Sequence, residues 1–276
     1  MSLAVAVLPD AGAPQVGLTI TGLAPSTQSV LSVEVTWDGG ETWHGVRGAD
    51  HITAIGSIFV RDHVPPLNTQ ATYRLVVHSG DKTPEDQASI TVPSASAWLQ
   101  DPLAPRSAVE VRADMDGSGV LLTAGSLAGA TWAQPVDLAT PIGADLPVAS
   151  IGRRLLAGSV PLIVSYQVAA DAGALRRLLL SSGQLVLRGA DGAMVEPVAH
   201  LVVGDVTETR LGVPGAQVST WSLAVSQVRP VSMQIVVPWW TYDQVKAMWA
   251  GSTYDEVKLA RPGATYLDWA ASPEPV

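Results

Sequence analysis

Within residues 30–37, Val-Leu-Ser-Val-Glu-Val-Thr-Trp, apolar and polar side chains alternate from Leu31 to Trp37. Leu31, Val33, Val35 and Trp37 fall on one face; Ser32, Glu34 and Thr36 fall on the other. A period of two belongs to a pleated strand with one buried face and one wet one. Asp38-Gly39-Gly40 follows at once. Glycine accepts the positive φ of a tight hairpin, so the chain is expected to return as a second antiparallel strand. The same pattern recurs nearby. Residues 15–23 alternate through Val16, Leu18 and Ile20, and further strands are expected at 57–61, 71–78 and 88–92. Pro65-Pro66-Leu67-Asn68 precedes the strand that carries Tyr73, and residues 81–86 read as a charged hairpin loop. Strands at roughly ten-residue spacing with Pro/Gly turns predict a β-sandwich over residues 1–95.

The next segment changes character. Residues 93–106 hold three prolines, small polar residues and Trp98. This composition reads as a stiff connection, taken here as a linker over 96–106, with Trp98 and Leu99 clamping it onto a neighbouring domain. Residues 107–237 read as a second β unit. Strands are expected at 107–113 and 119–123, flanking a turn at Asp114–Ser118, and at 159–169, 184–188, 198–209, 217–228 and 231–237. One helix interrupts them, at 171–182. Asp171 is placed to cap it, Leu175, Leu178 and Leu179 share a face, and Gly183 can end it. Strands around one helix predict an antiparallel barrel or sandwich with the helix packed across it.

Residues 238–276 contain a twelve-residue repeat: Thr241-Tyr242-Asp243-Gln244-Val245, Thr253-Tyr254-Asp255-Glu256-Val257 and Thr265-Tyr266-Leu267-Asp268-Trp269. The first two copies match the capping box, in which the Thr hydroxyl meets the N3 amide and Gln or Glu reaches back. Gly251 and Pro262-Gly263 can terminate short helices. Twelve residues cannot build a core, so each helix needs a surface to lie on, either on this chain or on a neighbouring subunit.

Composition narrows the function. The 276 residues are 47 % hydrophobic and only 15 % charged, against ~25 % charged in an average protein. Disorder is excluded, and much neutral surface is left for contacts with other chains. The net charge is −9, and the 16 basic residues form no run, so nucleic acid is not the expected ligand. The absence of cysteine removes disulfides, Cys-ligated zinc and a thiol nucleophile. The N-terminus has no positive n-region, and no apolar stretch reaches the ~18 residues a spanning helix needs, so no membrane insertion is expected.

The chemical motifs are weak. Asp114-Met115-Asp116-Gly117-Ser118-Gly119 hints at a calcium loop, but position 125, where the bidentate carboxylate belongs, is Gly; a hairpin turn is the better reading. The histidines are His44, His51, His63, His78 and His200, and none forms HExxH or a close pair on helical spacing, so no metal site is expected. Gly125-Ser126-Leu127-Ala128-Gly129 has the wrong order for a nucleophile elbow, and no phosphate loop follows a strand. Glu85-Asp86 and Asp255-Glu256 read as solvated pairs. The reading is therefore a non-enzyme with no cofactor, no metal ligands and no catalytic residues. The nine Trp read as core and interface anchors, with a sugar platform at Trp37 and Trp43 as the competing use.

Taken in order, four features resemble one family. They are Trp98-Leu99-Gln100-Asp101-Pro102-Leu103; Ile151-Gly152-Arg153-Arg154 leading to the strand at 159–169 and the Leu/Arg helix at 174–180; His200-Leu201-Val202-Val203-Gly204-Asp205-Val206 followed by Trp221-Ser222-Leu223-Ala224-Val225 and Arg229-Pro230; and the terminal Thr-Tyr-Asp-x-Val repeats. Together they are similar to the minor tail proteins of long-tailed phages of actinobacteria, related to distal tail proteins. Residues 124–150 match least. The resemblance implies a fibronectin/Ig-like β-sandwich, a distal-tail-type antiparallel barrel or sandwich with one helix, and a tail of short helices. It implies a structural subunit of the virion tail tip, made in the host cytoplasm, that joins the tail tube to the host-recognition apparatus. The partners it implies are further copies in a homo-oligomeric ring, a hexamer before a trimer, the tube and tape measure proteins and other tail-tip proteins. DNA passes through without specific binding. The alternative is a carbohydrate- or receptor-binding module that engages a host cell-surface glycan. The candidate interface residues are Trp98, Leu99, Trp239, Trp240, Tyr242, Trp249, Tyr254, Tyr266 and Trp269. Deleting 238–276 is expected to weaken assembly while leaving the β signal in circular dichroism; full-sized rings from the truncated chain would exclude the stapling role.

Overall fold

The computed structural model describes the chain apart from residues 1, 9–11, 81–85, 113–119, 124, 130, 141, 143–144, 155–159, 167–168, 191–195, 214–215, 231–241, 264–268 and 270–276. The chain is mainly β and divides into two compact units. The first takes in Met1–Ser94, Gln100–Ala108 and Ser232–Val276; the second takes in Ala95–Leu99 and Val109–Val231.

The strands of the first unit are β1 (Ser2–Val7), β2 (Val16–Thr21), β3 (Ser29–Thr36), β4 (His44–Gly45), β5 (Ile52–Ala54), β6 (Ile58–Asp62), β7 (Gln70–Ser79) and β8 (Gln87–Thr91). They form two sheets, β1-β2-β6 and β4-β3-β7-β8, with β5 paired to β3. The expected alternation is present: Val16, Leu18 and Ile20 are buried on β2, and Ala71, Tyr73 and Leu75 on β7. The hairpin after β3 also forms, pairing Val35 with His44. Its turn is pinned by Thr36 and Asp38. The Thr36 hydroxyl donates to Asp38 Oδ1 at 2.6 Å and accepts from the Gly40 amide, while the Thr42 amide donates to the same carboxylate oxygen at 3.0 Å. Gly39 and Gly40 lie at φ +77° and +98°, where a Cβ would be strained.

One detail departs from simple alternation. Ser32 and Thr36, on the expected wet face of β3, are buried. The following loop runs along the edge of β3, where the Val33 amide donates to the Ala49 carbonyl and the Val46 amide to the Val33 carbonyl, and it brings Asp50 and the His51 amide to the Ser32 hydroxyl. The two hydroxyls tolerate burial because each is hydrogen-bonded.

The second unit is built on β9 (Ala97–Gln100), β10 (Val109–Arg112) and β11 (Val120–Leu122), then a separate pair β12 (Val136–Ala139) and β13 (Val148–Ile151), then β14 (Val160–Tyr166), helix α1 (Ala169–Ser181), β15 (Leu185–Arg188), β16 (Val198–Val213) and β17 (Ala216–Gln227). Seven of these strands close a barrel in the order β10-β11-β14-β17-β16-β15-β9. The segment read as a linker thus supplies a barrel strand, β9, paired antiparallel to β10 through Leu99↔Val109.

The expectation of a hairpin between the strands around 107–123 is overturned. β10 and β11 pair in parallel, Val111 with Val120 and Arg112 with Leu121. The reason is parity. Strands that alternate in direction close on themselves only in even number, so a seven-strand ring must contain a parallel seam. The β11–β14, β14–β17, β17–β16, β16–β15 and β9–β10 pairs are all antiparallel. The barrel is therefore antiparallel apart from this seam. The intervening turn at 114–118, and with it the weighed calcium loop, lies outside the described residues, as does the strand expected at 231–237.

A β-bulge interrupts β16. The register passes from Val203↔Val225 to Val206↔Leu223, so Gly204 and Asp205 oppose a single residue, Ala224. The Val-Gly-Asp-Val motif is thus a bulge, which bends the strand as the barrel curves.

Leu99, Val111, Val120, Leu162, Val164, Leu185, Leu187, Leu201, Leu223 and Val225 fill the barrel together with Leu175 and Leu178 of α1. Leu179 packs partly against them, so the helix face read from sequence is the one that docks. The helix begins two residues before Asp171, which therefore sits in its first turn and not at the cap. Leu175→Ala is expected to lower stability by about 2–5 kcal/mol, since it opens a cavity in a closed core. Leu180→Ala, at a position 82 % exposed, is expected to change it by less than about 0.5 kcal/mol. Urea denaturation of the two variants checks the contrast.

Candidate functional site

Interior residues of the barrel are spent on packing, so surfaces available for function are those that the fold leaves open. The first is the β12–β13 ribbon. Its register pairs Val136 with Ile151 and Leu138 with Ala149, which puts four apolar side chains on one face. All eight residues of the two strands are exposed; Leu138 and Ile151 are 61 % and 62 % accessible. Ile142 and Leu146, in the connection between the strands, are exposed too. A lone two-stranded ribbon is marginal in water, and a solvated apolar face on one marks a contact surface.

The second is the far half of the β16–β17 hairpin. β15 covers β16 only from Val198 to Leu201. β14 covers β17 only from Ser219 to Val225. From Val202 to Val213 the outer edge of β16 has no strand partner among the described residues. Val202, Val206, Leu211 and Val218 are exposed along this ribbon, with Leu211 directly opposite Val218. An unpaired edge offers backbone donors and acceptors to another strand.

A polar network holds the base of that ribbon. Glu208 accepts from Arg210 Nε at 2.9 Å and Nη2 at 3.2 Å, from the Tyr166 hydroxyl at 2.9 Å and from Arg176 of α1 at 3.4 Å. Trp221 Nε1 donates to the Tyr166 hydroxyl at 3.2 Å, and the Arg176 guanidinium lies 5.6 Å from the Trp221 ring centre. The two-pronged Arg210 hydrogen bond, then the Tyr166 bond and the two positive charges, hold the Glu208 carboxyl at about 2, well below its ordinary 4.5.

The residues expected at an interface are dispersed. Leu99 is fully buried in the barrel core, so its side chain cannot reach a partner; Trp98, beside it, is half-buried. Trp239, Trp240 and Tyr266 lie outside the described residues. Tyr242 and Tyr254 open the helices α2 (Tyr242–Met248) and α3 (Tyr254–Ala260), their side chains outside the description. The capping box of α3 forms: the Thr253 amide donates to Glu256 Oε2 at 2.7 Å and the Glu256 amide to Thr253 Oγ1 at 3.4 Å. The backbone bond first, then the Thr253 hydroxyl, lower the Glu256 pKa. Trp249 and Trp269 do meet, with ring centres 5.8 Å apart, and Arg261 lies 5.1 Å from the Trp269 ring. Part of the tail's aromatic surface is therefore used within the tail.

The weighed sugar platform at Trp37 and Trp43 is also engaged internally. The Trp37 ring stacks on His44 at 4.2 Å, and the Arg74 guanidinium sits 4.0 Å over Trp43 while binding Glu34. Among the described residues one group of imidazoles and a carboxylate lies close enough to share a metal ion: Asp50, His51 and His78. Sequence spacing did not reveal it, because sheet register brings the residues together. The ribbon faces were likewise missed: β12 and β13 have no strict alternation to announce them.

No protein-family model and no curated protein sequence matches the chain.

Glu208→Gln is expected to destabilise the second unit near neutral pH. A carboxyl held at about 2 when folded contributes stability above its ordinary value of 4.5, and that contribution is lost as pH falls from 4.5 toward 2. The gap between wild type and variant in urea midpoint should narrow below pH 4.5. A gap independent of pH would show that Glu208 acts through packing alone.

Proposed function

We propose that the protein is a structural subunit of a phage tail tip, a minor or distal tail protein that assembles as a ring joining the tail tube to the host-recognition apparatus. On this reading the first unit is a fibronectin/Ig-like sandwich that decorates the ring, and the second is a distal-tail-type barrel that builds it. A hexamer is preferred and a trimer is the alternative. The neighbours are the tube and tape measure proteins and other tail-tip proteins, in the virion.

The supporting observation is the β12–β13 ribbon, whose apolar face has no use within its own unit among the described residues. Covering the solvated parts of Val136, Leu138 and Ile151, which share that face, is worth about 1 kcal/mol each, roughly 3 kcal/mol together. Bringing two chains together costs about 4–15 kcal/mol in lost freedom. One such patch alone therefore does not hold a dimer. A closed ring grips each subunit from two sides and adds the open β16 edge, which suits a contact of this size. The motif order across nearly the whole chain points the same way. No catalytic order is present in the one Ser/His/Asp group described: the carboxylate of Asp50 binds the Ser32 hydroxyl and His51, not the ring of His78 that meets Ser32.

Light scattering and negative-stain images of one chromatographic peak test the reading. A ring of six or three copies is expected, and Leu138→Asp combined with Ile151→Asp should dissociate it while leaving circular dichroism unchanged. A chain that stays monomeric at every concentration, with the tube protein present as well, would overturn it.

A further inference from the structure

Three unusual features of the first unit converge on one spot. The first is a β-bulge on β7. Opposite β3 the register runs Leu31↔Val77 and then Val30↔Ser79, so His78 is the extra residue. A bulge re-aims the side chain it carries. The second is backbone strain: His51 sits at φ +50°, a left-handed conformation that few residues other than glycine adopt. Such strain persists only where surrounding contacts impose it, and it clusters at functional sites. The third is the buried Ser32 hydroxyl, which is bonded to Asp50 and to the His51 amide.

Together they form a tight group. Ser32 Oγ donates to Asp50 Oδ1 at 2.8 Å, accepts from the His51 amide at 2.9 Å and meets His78 Nε2 at 2.7 Å. His51 Nδ1 meets Asp50 Oδ1 at 2.7 Å. The two imidazoles stack face to face, 4.1 Å apart and 3° from parallel. Proton counting assigns the contacts. Ser32 has one hydroxyl proton and gives it to the carboxylate, so His78 Nε2 must carry the proton it shares with Ser32. Asp50 only accepts, so His51 Nδ1 carries its proton as well. Two imidazole N–H groups therefore point inward at oxygens, and each ring's other nitrogen is the one able to take that proton on tautomerisation.

We propose that Asp50, His51 and His78 form a binding site for a divalent cation of the zinc class. One donor atom from each residue lies within 4.8 Å of the others. Donors sharing zinc at about 2.0–2.2 Å stand roughly 3.0–3.5 Å apart, so the group must close by about an ångström. Asp50 and His51 are half or more exposed, which leaves room for that rotation and for the rings to tilt out of the stack. On binding, the ion takes the place of the two inward protons, and each ring shifts its proton to its other nitrogen. Two imidazoles and one carboxylate suit zinc, cobalt or nickel; calcium and magnesium would require more oxygen donors. Three protein ligands leave a position for water or an exogenous donor. Ser32 does not need to bind the ion. Its hydroxyl donates to Asp50 and can keep that carboxylate in place when the ion binds, which makes it a positioning residue.

Calorimetric titration of the full chain with zinc chloride, paired with the visible absorption of the cobalt form, tests this. One saturable site is expected. His78→Ala and His51→Asn should each weaken it by about 100-fold and abolish the cobalt bands. Asn is chosen because it accepts positive φ. Ser32→Ala should weaken it by about 10-fold. His44→Ala, outside the group, should leave it unchanged. Circular dichroism checks that each variant folds, and Asp50→Asn replaces any that does not. Absence of a saturable site, or a site that survives both histidine variants, would overturn the proposal.

Discussion

Closure of the barrel is the constraint on which the second unit depends. Seven strands meet edge to edge, so their backbone groups pair without an outer sheet, and odd parity requires a parallel seam, which falls between β10 and β11. Within that ring the strands are unequal. β16 has sixteen residues, and β15, its neighbour, has four. β15 therefore pairs only the first part of β16, and from Val202 onward its outer edge has no strand partner among the described residues. The Glu208 carboxylate ties this part of β16 to Tyr166 on β14 and Arg176 on α1. The same strand thus seals the core and supplies surface for other chains.

The first unit is organised around polar atoms on β3 that would be wet in an isolated sheet. Thr36 anchors the turn through Asp38, and Ser32 anchors the loop that carries Asp50 and His51. Between the two sheets, the buried Tyr73 hydroxyl donates to Asp62 Oδ2 at 2.8 Å, so a strand of one sheet is held to the last strand of the other. Buried hydroxyls of this kind are tolerable only when bonded, and each bond selects one loop conformation. The shape of the surface over β3 follows from these few contacts.

The tail works by local rules. Seven-residue helices are too short to persist by propensity, so the capping box at Thr253 and the Trp249–Trp269 contact carry much of their definition. Gly251 and Gly263, both at positive φ, end the helical turns where the repeat expected them to end.

The sequence by itself determined the features that are local. The period-two runs marked β2 and β3, further apolar runs marked β7 and every barrel strand but β9, the Asp-Gly-Gly turn marked its hairpin, and the Leu175/Leu178/Leu179 face marked the docking side of α1. The second capping box followed from a four-residue spacing. What the tertiary structure alone decided depends on register between distant segments. The parallel seam follows from counting strands around a closed ring, which no single segment records. Leu99 reads as an interface anchor until β9 is seen to be a barrel strand. The β12–β13 ribbon lacks strict alternation because neither of its faces is buried within the chain, and burial on one face is what writes a period of two into a strand. Asp50, His51 and His78 meet because a bulge and a left-handed residue turn their side chains toward Ser32, and no spacing rule in sequence encodes that meeting.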